Sequence, residues 1–233
     1  MTTYVLVPGA WLGAYAWERV SSTLLDAGHD VRPVTLAGLG NRSDESGVTL
    51  QTHVDDITGL VEQADLRDVV LVGHSYSGVP VGLAALALGD RVRHLVLVDA
   101  NVPVEGRAFA AGEFGDRLRA ELEANGGLWP PMTHDDFEGQ DLAHEDIHFF
   151  EDWSKPHPGA TLTDVVHLEG DLGAGLAAVP TTYVKCLLDG PDPADEVREL
   201  LASPQWSLVE LETGHWPMWS APADLSRVLL DIG

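Results

Sequence analysis

The stretch Val69-Val70-Leu71-Val72-Gly73-His74-Ser75-Tyr76-Ser77-Gly78 decides the fold of the chain. Its apolar, β-branched run stops at Gly73, and an apolar pattern with helical spacing follows Gly78. This pattern predicts a buried strand, a sharp turn and a helix, with Ser75 at the apex of the turn. Small neighbours let the strand and helix pack closely, and the turn exposes the serine hydroxyl as a candidate nucleophile. An ordinary turn is the alternative, because Ser77 replaces the second glycine of a G-x-S-x-G pattern.

Composition limits the classes of protein to which the chain can belong. Its 233 residues suffice for one large hydrophobic core. A net charge of −24 gives a surface that repels nucleic acid and anionic membranes, so we expect neither as a partner. Cys186 is the only cysteine, which excludes an intrachain disulfide and favours a cytoplasmic location. We also expect no signal peptide, since no basic and then apolar leader follows Met1.

Strand-like and helix-like segments alternate four times in residues 1–100, and the same core pattern returns in residues 178–233. The strand-like runs are continuously apolar, which is typical of a parallel sheet covered on both faces. We therefore predict an α/β fold with a mostly parallel sheet of about six strands and helices on both faces. Residues 101–177, called the insertion below, show no clear strand and two helical pieces, around 114–124 and 161–168. The insertion is interpreted as a helical lid, with a second small domain or a mobile loop as alternatives.

Later residues supply candidate partners for the serine, whose hydroxyl needs a histidine base and an acid that fixes the histidine tautomer. With a turn of this kind, the acid and then the histidine follow in loops after later strands. His215 lies between the last predicted strand and the last helix. Asp189 ends the preceding core strand and is the favoured acid, although an aspartate before Gly190 also suits an ordinary turn. Asp99, at the end of an earlier core strand, is the other candidate acid.

Backbone N–H groups beside the serine are expected to bind the oxyanion that its attack creates. One donor is the N–H of Tyr76, the residue after the nucleophile, where the helix N-terminus also favours negative charge. The second donor is expected in the loop after the first strand, where Gly9-Ala10 stands, and we choose Ala10. An ordinary glycine turn is the alternative explanation of this dipeptide.

Three stretches of the chain resemble the α/β-hydrolases, and more closely the branch of plant methyl esterases, hydroxynitrile lyases and their bacterial relatives. They are residues 5–11 with Gly13, Ala14 and Trp17; residues 72–76; and residues 183–186 leading to Asp189, followed by residues 213–215. The resemblance covers about residues 3–100 and 178–231 and is weak across the insertion. It implies the α/β-hydrolase fold with an inserted helical lid, the triad Ser75, Asp189 and His215, and the oxyanion donors Ala10 and Tyr76. It also implies chemistry without a cofactor, and a homodimer stays open because relatives often form dimers.

Departures from the pattern of the hydroxynitrile lyases bear on the reaction. Gly9 stands where those lyases have threonine, and Trp216 follows the candidate base where they have lysine. Without that lysine nothing obvious stabilises a cyanide leaving group, so hydrolysis is favoured over C–C cleavage. Pro8 replaces the histidine usual in relatives and leaves the shape of this loop open. We expect a serine hydrolase that cleaves a small or medium carboxylic ester, a small-molecule substrate, through an acyl-enzyme.

Two other functions remain open at the level of the sequence. One is a lyase, cyclase or lactonase-type reaction in the same pocket, and the other is a non-catalytic ligand-binding homologue. An intact Ser–Asp–His set disfavours pure binding. Aromatic residues near the motifs are candidate walls of a pocket for an apolar or aromatic substrate. The predicted substrate-binding residues are Gly9, Trp11, Phe149, Phe150, Trp153 and Trp216.

A second pattern, His144-Glu145-Asp146-Ile147-His148, matches the zinc motif H-E-x-x-H. On a helix its two histidines would face one zinc ion, with Glu145 as base and Glu169 as a candidate third ligand. Acidic Asp146 in the middle of a partly buried helix argues against this interpretation, and ten histidines make such a match easy by chance. The favoured interpretation is a polar helix end, and no metal is predicted.

Overall fold

Eight strands and ten α-helices make up the computed structural model, which describes residues 1–233. The strands are β1 (Thr3–Val7), β2 (Asp30–Pro33), β3 (Val69–His74), β4 (Val92–Val98), β5 (Leu128–Trp129), β6 (His157–Pro158), β7 (Thr181–Cys186) and β8 (Trp206–Leu211). The α-helices are α1 (Glu18–Asp26), α2 (Leu50–Gln63), α3 (Gly78–Leu88), α4 (Gly112–Ala124), α5 (His144–Trp153), α6 (Ala160–Thr163), α7 (Leu172–Ala178), α8 (Asp195–Leu200), α9 (Pro217–Ser220) and α10 (Pro222–Ile232). None of these helices is long and apolar enough to span a membrane.

The central sheet consists of six strands in the order β2-β1-β3-β4-β7-β8. Every neighbouring pair is parallel. All residues of β3 are buried, and because successive side chains point to opposite faces, both faces of the sheet are covered. Helix α1 packs against α10, and α2 packs against α3. The predicted α/β fold with a sheet of about six strands is confirmed.

The strand order places the candidate reacting groups at one edge of the sheet. Strands β3, β4, β7 and β8 are consecutive neighbours, and parallel strands have their carboxyl ends at the same edge. Ser75 and Asp99 follow the first two of these strands directly, while Asp189 and His215 lie in the short loops after the other two. The loop after β1, which carries Ala10, lies at the same edge because β1 pairs with β3.

The insertion connects β4 to β7, which are adjacent in the sheet. Helix α4 agrees with the helical piece predicted around 114–124, whereas near 161–168 only α6 is helical. The prediction of no strand in the insertion is wrong, because β5 and β6 pair antiparallel as a two-stranded ribbon. Each ribbon strand has two residues, which is too short for an alternating apolar pattern to be recognised.

The insertion shares the hydrophobic core of the sheet. Its Phe137, Ile147, Phe150 and Leu162 belong to the same hydrophobic cluster as the buried strands. Their burial removes apolar surface of both parts from water and holds the insertion against the carboxyl edge of the sheet. The exact division of the chain at residues 101 and 177 stays a prediction.

Candidate active site

The predicted strand, turn and helix around Ser75 are present, with the serine between β3 and α3. Ser75 adopts the left-handed backbone conformation, with φ of 55°, which is strained for a residue other than glycine. Tight packing around the turn holds this conformation: a Cβ atom at Gly78 would collide with the carbonyl of Asn101, and one at Gly73 would lie 3.0 Å from Val81. These glycines therefore let the strand and helix approach closely enough to present the serine at the apex.

His215 faces Ser75 across the sheet edge. Its Nε2 lies 2.9 Å from the Ser75 Oγ, which is hydrogen-bonding distance for a general base. The backbone of His215 is held on both sides: its N–H donates to Oε1 of Gln140 at 2.7 Å, and its carbonyl accepts from Nε2 of His74 at 2.7 Å. The backbone of His215 is thus fixed by contacts from the insertion and from β3.

Two carboxylates face the other nitrogen of His215. Nδ1 lies 2.8 Å from Oδ2 of Asp99 and 3.2 Å from Oδ2 of Asp189. The Asp99 side chain is 3% exposed and accepts a hydrogen bond of 2.6 Å from Nζ of Lys185 on β7. The Asp189 side chain is 38% exposed, and its Oδ1 accepts from Nε2 of Gln140 at 3.2 Å. The structure therefore brings Ser75 and His215 together with both candidate acids and not with Asp189 alone.

These charges control the protonation of the base. Burial alone lowers the pKa of His215, but the hydrogen bonds and charges of Asp189 and Asp99 outweigh it and raise the pKa to about 9. Burial raises the pKa of Asp189, whereas the stronger opposite effect of His215 and its other hydrogen-bond partners holds it well below its usual range. Both shifts express the same attraction between an imidazolium and carboxylates in a site with little water.

The ligand atoms of Asp99, Asp189 and His215 lie within 4.8 Å of one another, a spacing that also suits a metal ion. Lys185 already places a positive charge against Asp99, and the imidazole Nδ1–H occupies the space between the two acids. The arrangement is therefore better described as a hydrogen-bonded cluster than as a cation site.

The loop after β1 lies against Ser75. A Cβ atom at Gly9 would stand 2.7 Å from Nδ1 of His74 and 3.0 Å from Cβ of Ser75, so only glycine fits there. The hydroxyl of Ser77 donates to the carbonyl of Pro8, which gives a physical reason for serine in place of the second glycine of the turn. The N–H of Ala10 has no acceptor within the chain, and it is available to a ligand oxygen beside Ser75.

A cavity of about 460 Å³ opens over Ser75 and His215. Trp11 and Trp216, two of the predicted walls, line it, and Asp189 reaches it as well. Its remaining walls come largely from the insertion. These walls are Ala10, Phe109, Phe114, Glu121, Trp129, Pro130, Pro131, Met132, Asp136 and Gln140.

Three of the predicted substrate-binding residues, Phe149, Phe150 and Trp153, do not line this cavity. Phe150 is fully buried behind it, with its ring 5.8 Å from that of Trp216. Phe149 stacks on Trp153, which is 53% exposed at the outer surface. The reason is helical geometry: residues 149 and 153 of α5 lie one turn apart on the outward face, and residue 150 points into the core. Gly9 packs closely against Ser75 but does not line the cavity.

The H-E-x-x-H pattern lies at the start of α5, and its two histidines do share one face. Nε2 of His144 lies 2.9 Å from Nε2 of His148, and both side chains are exposed. Asp146 is buried because Arg19 pairs with it, which resolves the objection that this acidic residue raised. Glu169 does not join the histidines in a group of ligand atoms close enough to share an ion.

Sequence reasoning missed two functional neighbours of His215. Lys185 carries a usable signal, since a lysine within a buried apolar strand requires an acidic partner. Gln140 carries none, because it lies in an irregular part of the insertion, 75 residues away from the backbone N–H that it binds.

Comparisons with known proteins identify the family of the chain. A profile of the Alpha/beta hydrolase family matches residues 4–228. The chain is 31% identical over 250 residues to a carbendazim hydrolyzing esterase of Nocardioides sp. (strain SG-4G), with all of both chains covered. It is 26% identical to Methylesterase 1 of Arabidopsis thaliana, covering 98% of this chain and 95% of that one. An extracellular alpha/beta-hydrolase from a Paenibacillus species superposes with a TM-score of 0.86 at 21% identity, covering 100% of this chain and 99% of the other. The chain belongs to the α/β-hydrolase family, in its branch of methylesterases and bacterial esterases, and is an esterase-type enzyme.

Proposed function

We propose that the protein is a serine hydrolase that cleaves a small or medium carboxylic ester through an acyl-enzyme at Ser75. One observation carries the proposal: the continuous hydrogen-bonded chain from Ser75 Oγ to His215 Nε2, and from His215 Nδ1 to Asp99 and Asp189. A nucleophile, a base and an orienting acid in contact are the arrangement that activates a hydroxyl group for attack.

The mechanism follows from these contacts. Ser75 Oγ attacks the ester carbonyl while His215 Nε2 takes its proton, and the N–H groups of Ala10 and Tyr76 stabilise the resulting oxyanion. His215 then gives the proton to the departing alkoxide, which leaves the acyl group on Ser75. Water, deprotonated by His215, attacks the acyl-enzyme and releases the acid. Asp99 and Asp189 hold the Nδ1–H and stabilise the imidazolium formed in each step.

The cavity limits the substrate class. A volume of about 460 Å³ suits a small or medium molecule, and rings of Trp11, Trp129 and Trp216 favour an apolar or aromatic group. No lysine or arginine lines the cavity, whereas Glu121 and Asp136 do, so an anionic substrate is disfavoured. The esterases among the relatives support ester cleavage over the lyase, cyclase and binding alternatives.

Intact mass after treatment with a fluorophosphonate tests the proposal on wild type and Ser75→Ala, with short-chain p-nitrophenyl esters assayed in parallel. The expected result is one adduct on wild type only, with complete loss of esterase activity in that sample and in the variant. Ser21→Ala is a matched control, because Ser21 is buried on α1 away from the sheet edge and should leave labelling unchanged. Equal labelling of Ser75→Ala, or ester turnover that survives in it, would contradict the proposal.

A further inference from the structure

The residue after Ala10 is held in an unusual conformation by the insertion. Trp11 is left-handed, with φ of 66°, although it carries a large side chain. Its N–H donates to Nδ1 of His157 at 3.3 Å, and its carbonyl accepts from the N–H of Lys155 at 3.0 Å. Its indole N–H donates to the carbonyl of Trp129 at 3.2 Å. All three hydrogen bonds come from one small region, since Trp129 and His157 are paired residues of the β5–β6 ribbon.

The hydrogen bonds of His157 fix its tautomer. Nδ1 accepts from Trp11, so the proton lies on Nε2, which donates to Oγ1 of Thr161 at 2.8 Å. The Thr161 hydroxyl in turn donates to the carbonyl of Pro158 at 2.7 Å. His157 is fully buried, and burial holds the pKa of its imidazole well below the usual range. The ring therefore stays neutral, with its acceptor nitrogen directed at the Trp11 N–H.

The other oxyanion residue is held by a parallel arrangement. The Tyr76 hydroxyl donates to Nδ1 of His53 at 2.9 Å, while Nε2 of His53 donates to the carbonyl of Ala37 at 2.9 Å. The Tyr76 ring also meets the His157 ring edge-on at 4.7 Å between centroids. Trp11, next to Ala10, and Tyr76 are thus each hydrogen-bonded to a buried, neutral histidine that takes no part in the reaction itself.

We propose that His157 is a positioning residue for oxyanion binding: from the ribbon of the insertion it holds the strained peptide of Trp11, and thereby aims the adjacent N–H of Ala10 at the reacting oxygen. The inference rests on the proposed esterase function. Without the acceptor nitrogen, the buried N–H of Trp11 loses its partner and the left-handed peptide can relax, which moves the donor next to it.

Two replacements of His157 separate positioning from simple stability. His157→Asn keeps an acceptor oxygen close to the place of Nδ1, whereas His157→Leu fills similar space with no acceptor. We expect His157→Leu to lose about tenfold in kcat with KM within about twofold, a smaller loss than the ~10²–10³-fold of a deleted oxyanion donor. His157→Asn should stay within about threefold of wild type. A benzeneboronic acid, which forms a tetrahedral adduct on the serine, should bind about tenfold more weakly to His157→Leu.

A further variant keeps the test decisive if His157→Leu does not fold. Thr161→Val retains the imidazole but removes the acceptor of its Nε2–H, so a proton can move to Nδ1 and face the Trp11 N–H. In this variant kcat and the affinity for the boronic acid should both fall, but less than in His157→Leu. Leu122→Ala, a buried change on α4, is the control for general destabilisation of the insertion and should lower the melting temperature with kcat unchanged.

The outcomes distinguish the two proposals. Wild-type kcat and boronic acid affinity in His157→Leu, or in Thr161→Val where His157→Leu is unfolded, would overturn the positioning role. His157→Asn as impaired as His157→Leu would overturn it too, since the acceptor would then not matter. Either result with Ser75 still labelled by a fluorophosphonate leaves the esterase proposal standing, whereas a wild type that is never labelled rejects the esterase proposal itself.

Discussion

The two carboxylates beside His215 are held by different parts of the molecule. Asp99 is fixed within the sheet, where it is 3% exposed and bound to Lys185 of the neighbouring strand. Asp189 is 38% exposed, and its contact on the far side is Gln140 of the insertion. His215 is thus held on one side by Asp99 and Lys185, called the sheet side, and on the other by Asp189 and Gln140, called the insertion side. The wall of the cavity and the placement of His215 therefore depend on the same segment, the insertion, on the Asp189 side, but not on the Asp99 side.

Removal of both acids is the strongest test of this division. The double variant Asp99→Asn/Asp189→Asn is expected to lose about 10⁴-fold in kcat, because no carboxylate then keeps the tautomer of His215 or stabilises its charged form. Each single variant should lose at least about tenfold less than the double, since the remaining carboxylate still accepts the Nδ1–H. Steady-state kinetics at pH 9.5, with active sites counted by fluorophosphonate labelling, measures both. A single variant as impaired as the double would give the whole role to that one residue.

The difference between the sheet and the insertion also explains which parts of the site can be predicted from the sequence. Ser75, Asp99, Asp189 and His215 are predictable because each follows a strand of the central sheet, and parallel strands bring their ends to one edge. The position after the core strand and the resemblance both favoured Asp189 over Asp99 as the acid, whereas the structure brings both to Nδ1 of His215, with Asp99 at the shorter distance. The position of Lys185 in a buried strand indicates an ion pair, but the sequence does not show which acidic residue is the partner.

The structure of the insertion is hard to predict from the sequence for a physical reason. Its ribbon has two residues in each strand, and the turn that carries Gln140 has no periodic pattern, so local sequence says little about either. Their positions are set by packing on the sheet through distant residues, as with Gln140 and His215. The same lack of a register led to the wrong assignment of Phe149, Phe150 and Trp153 to the pocket, because the face of α5 that meets the core was not known.

Removal of Lys185 tests the sheet side alone. Lys185→Met leaves buried Asp99 with His215 as its remaining cationic partner, so we expect a loss of about 1–3 kcal/mol in the free energy of unfolding. Lys185→Met/Asp99→Asn removes both charges and should recover much of that loss. Urea denaturation followed by tryptophan fluorescence measures the difference. An unfolding free energy for Lys185→Met equal to that of wild type would mean that the pair does not hold the sheet side of the site.

Removal of Gln140 tests the insertion side. Gln140→Leu loses the acceptor of the His215 N–H and the donor to Asp189, and we expect about a tenfold fall in kcat/KM through misplacement of the base. The fall should be larger with Asp99→Asn already present, because the base then depends on Asp189 alone. Gln51→Leu, an exposed change on α2, is the matched control. Equal effects of Gln140→Leu in both backgrounds would show that Gln140 does not act through Asp189.

The pH dependence of the reaction compares the effects of Asp99 and Asp189 on the pKa of His215. Only neutral His215 can accept the serine proton, and the two carboxylates raise its pKa to about 9. We therefore expect kcat/KM of wild type to rise with pH and to level off above about 9. Asp189→Asn removes one of the charges that favour the protonated form, so its acid limb should move to lower pH.

The sign of this shift makes the prediction specific. At pH 7 the variant has a larger neutral fraction of His215 than wild type, which offsets part of its loss in kcat/KM. At pH 10 both proteins are neutral at His215, and the full loss is seen, so the ratio of wild type to variant should be larger at pH 10 than at pH 7. Glu45→Gln, an exposed carboxylate paired with Arg42, is the control for a general change in surface charge. An acid limb that stays in place in Asp189→Asn but moves in Asp99→Asn would mean that the sheet side alone sets the proton affinity of the base.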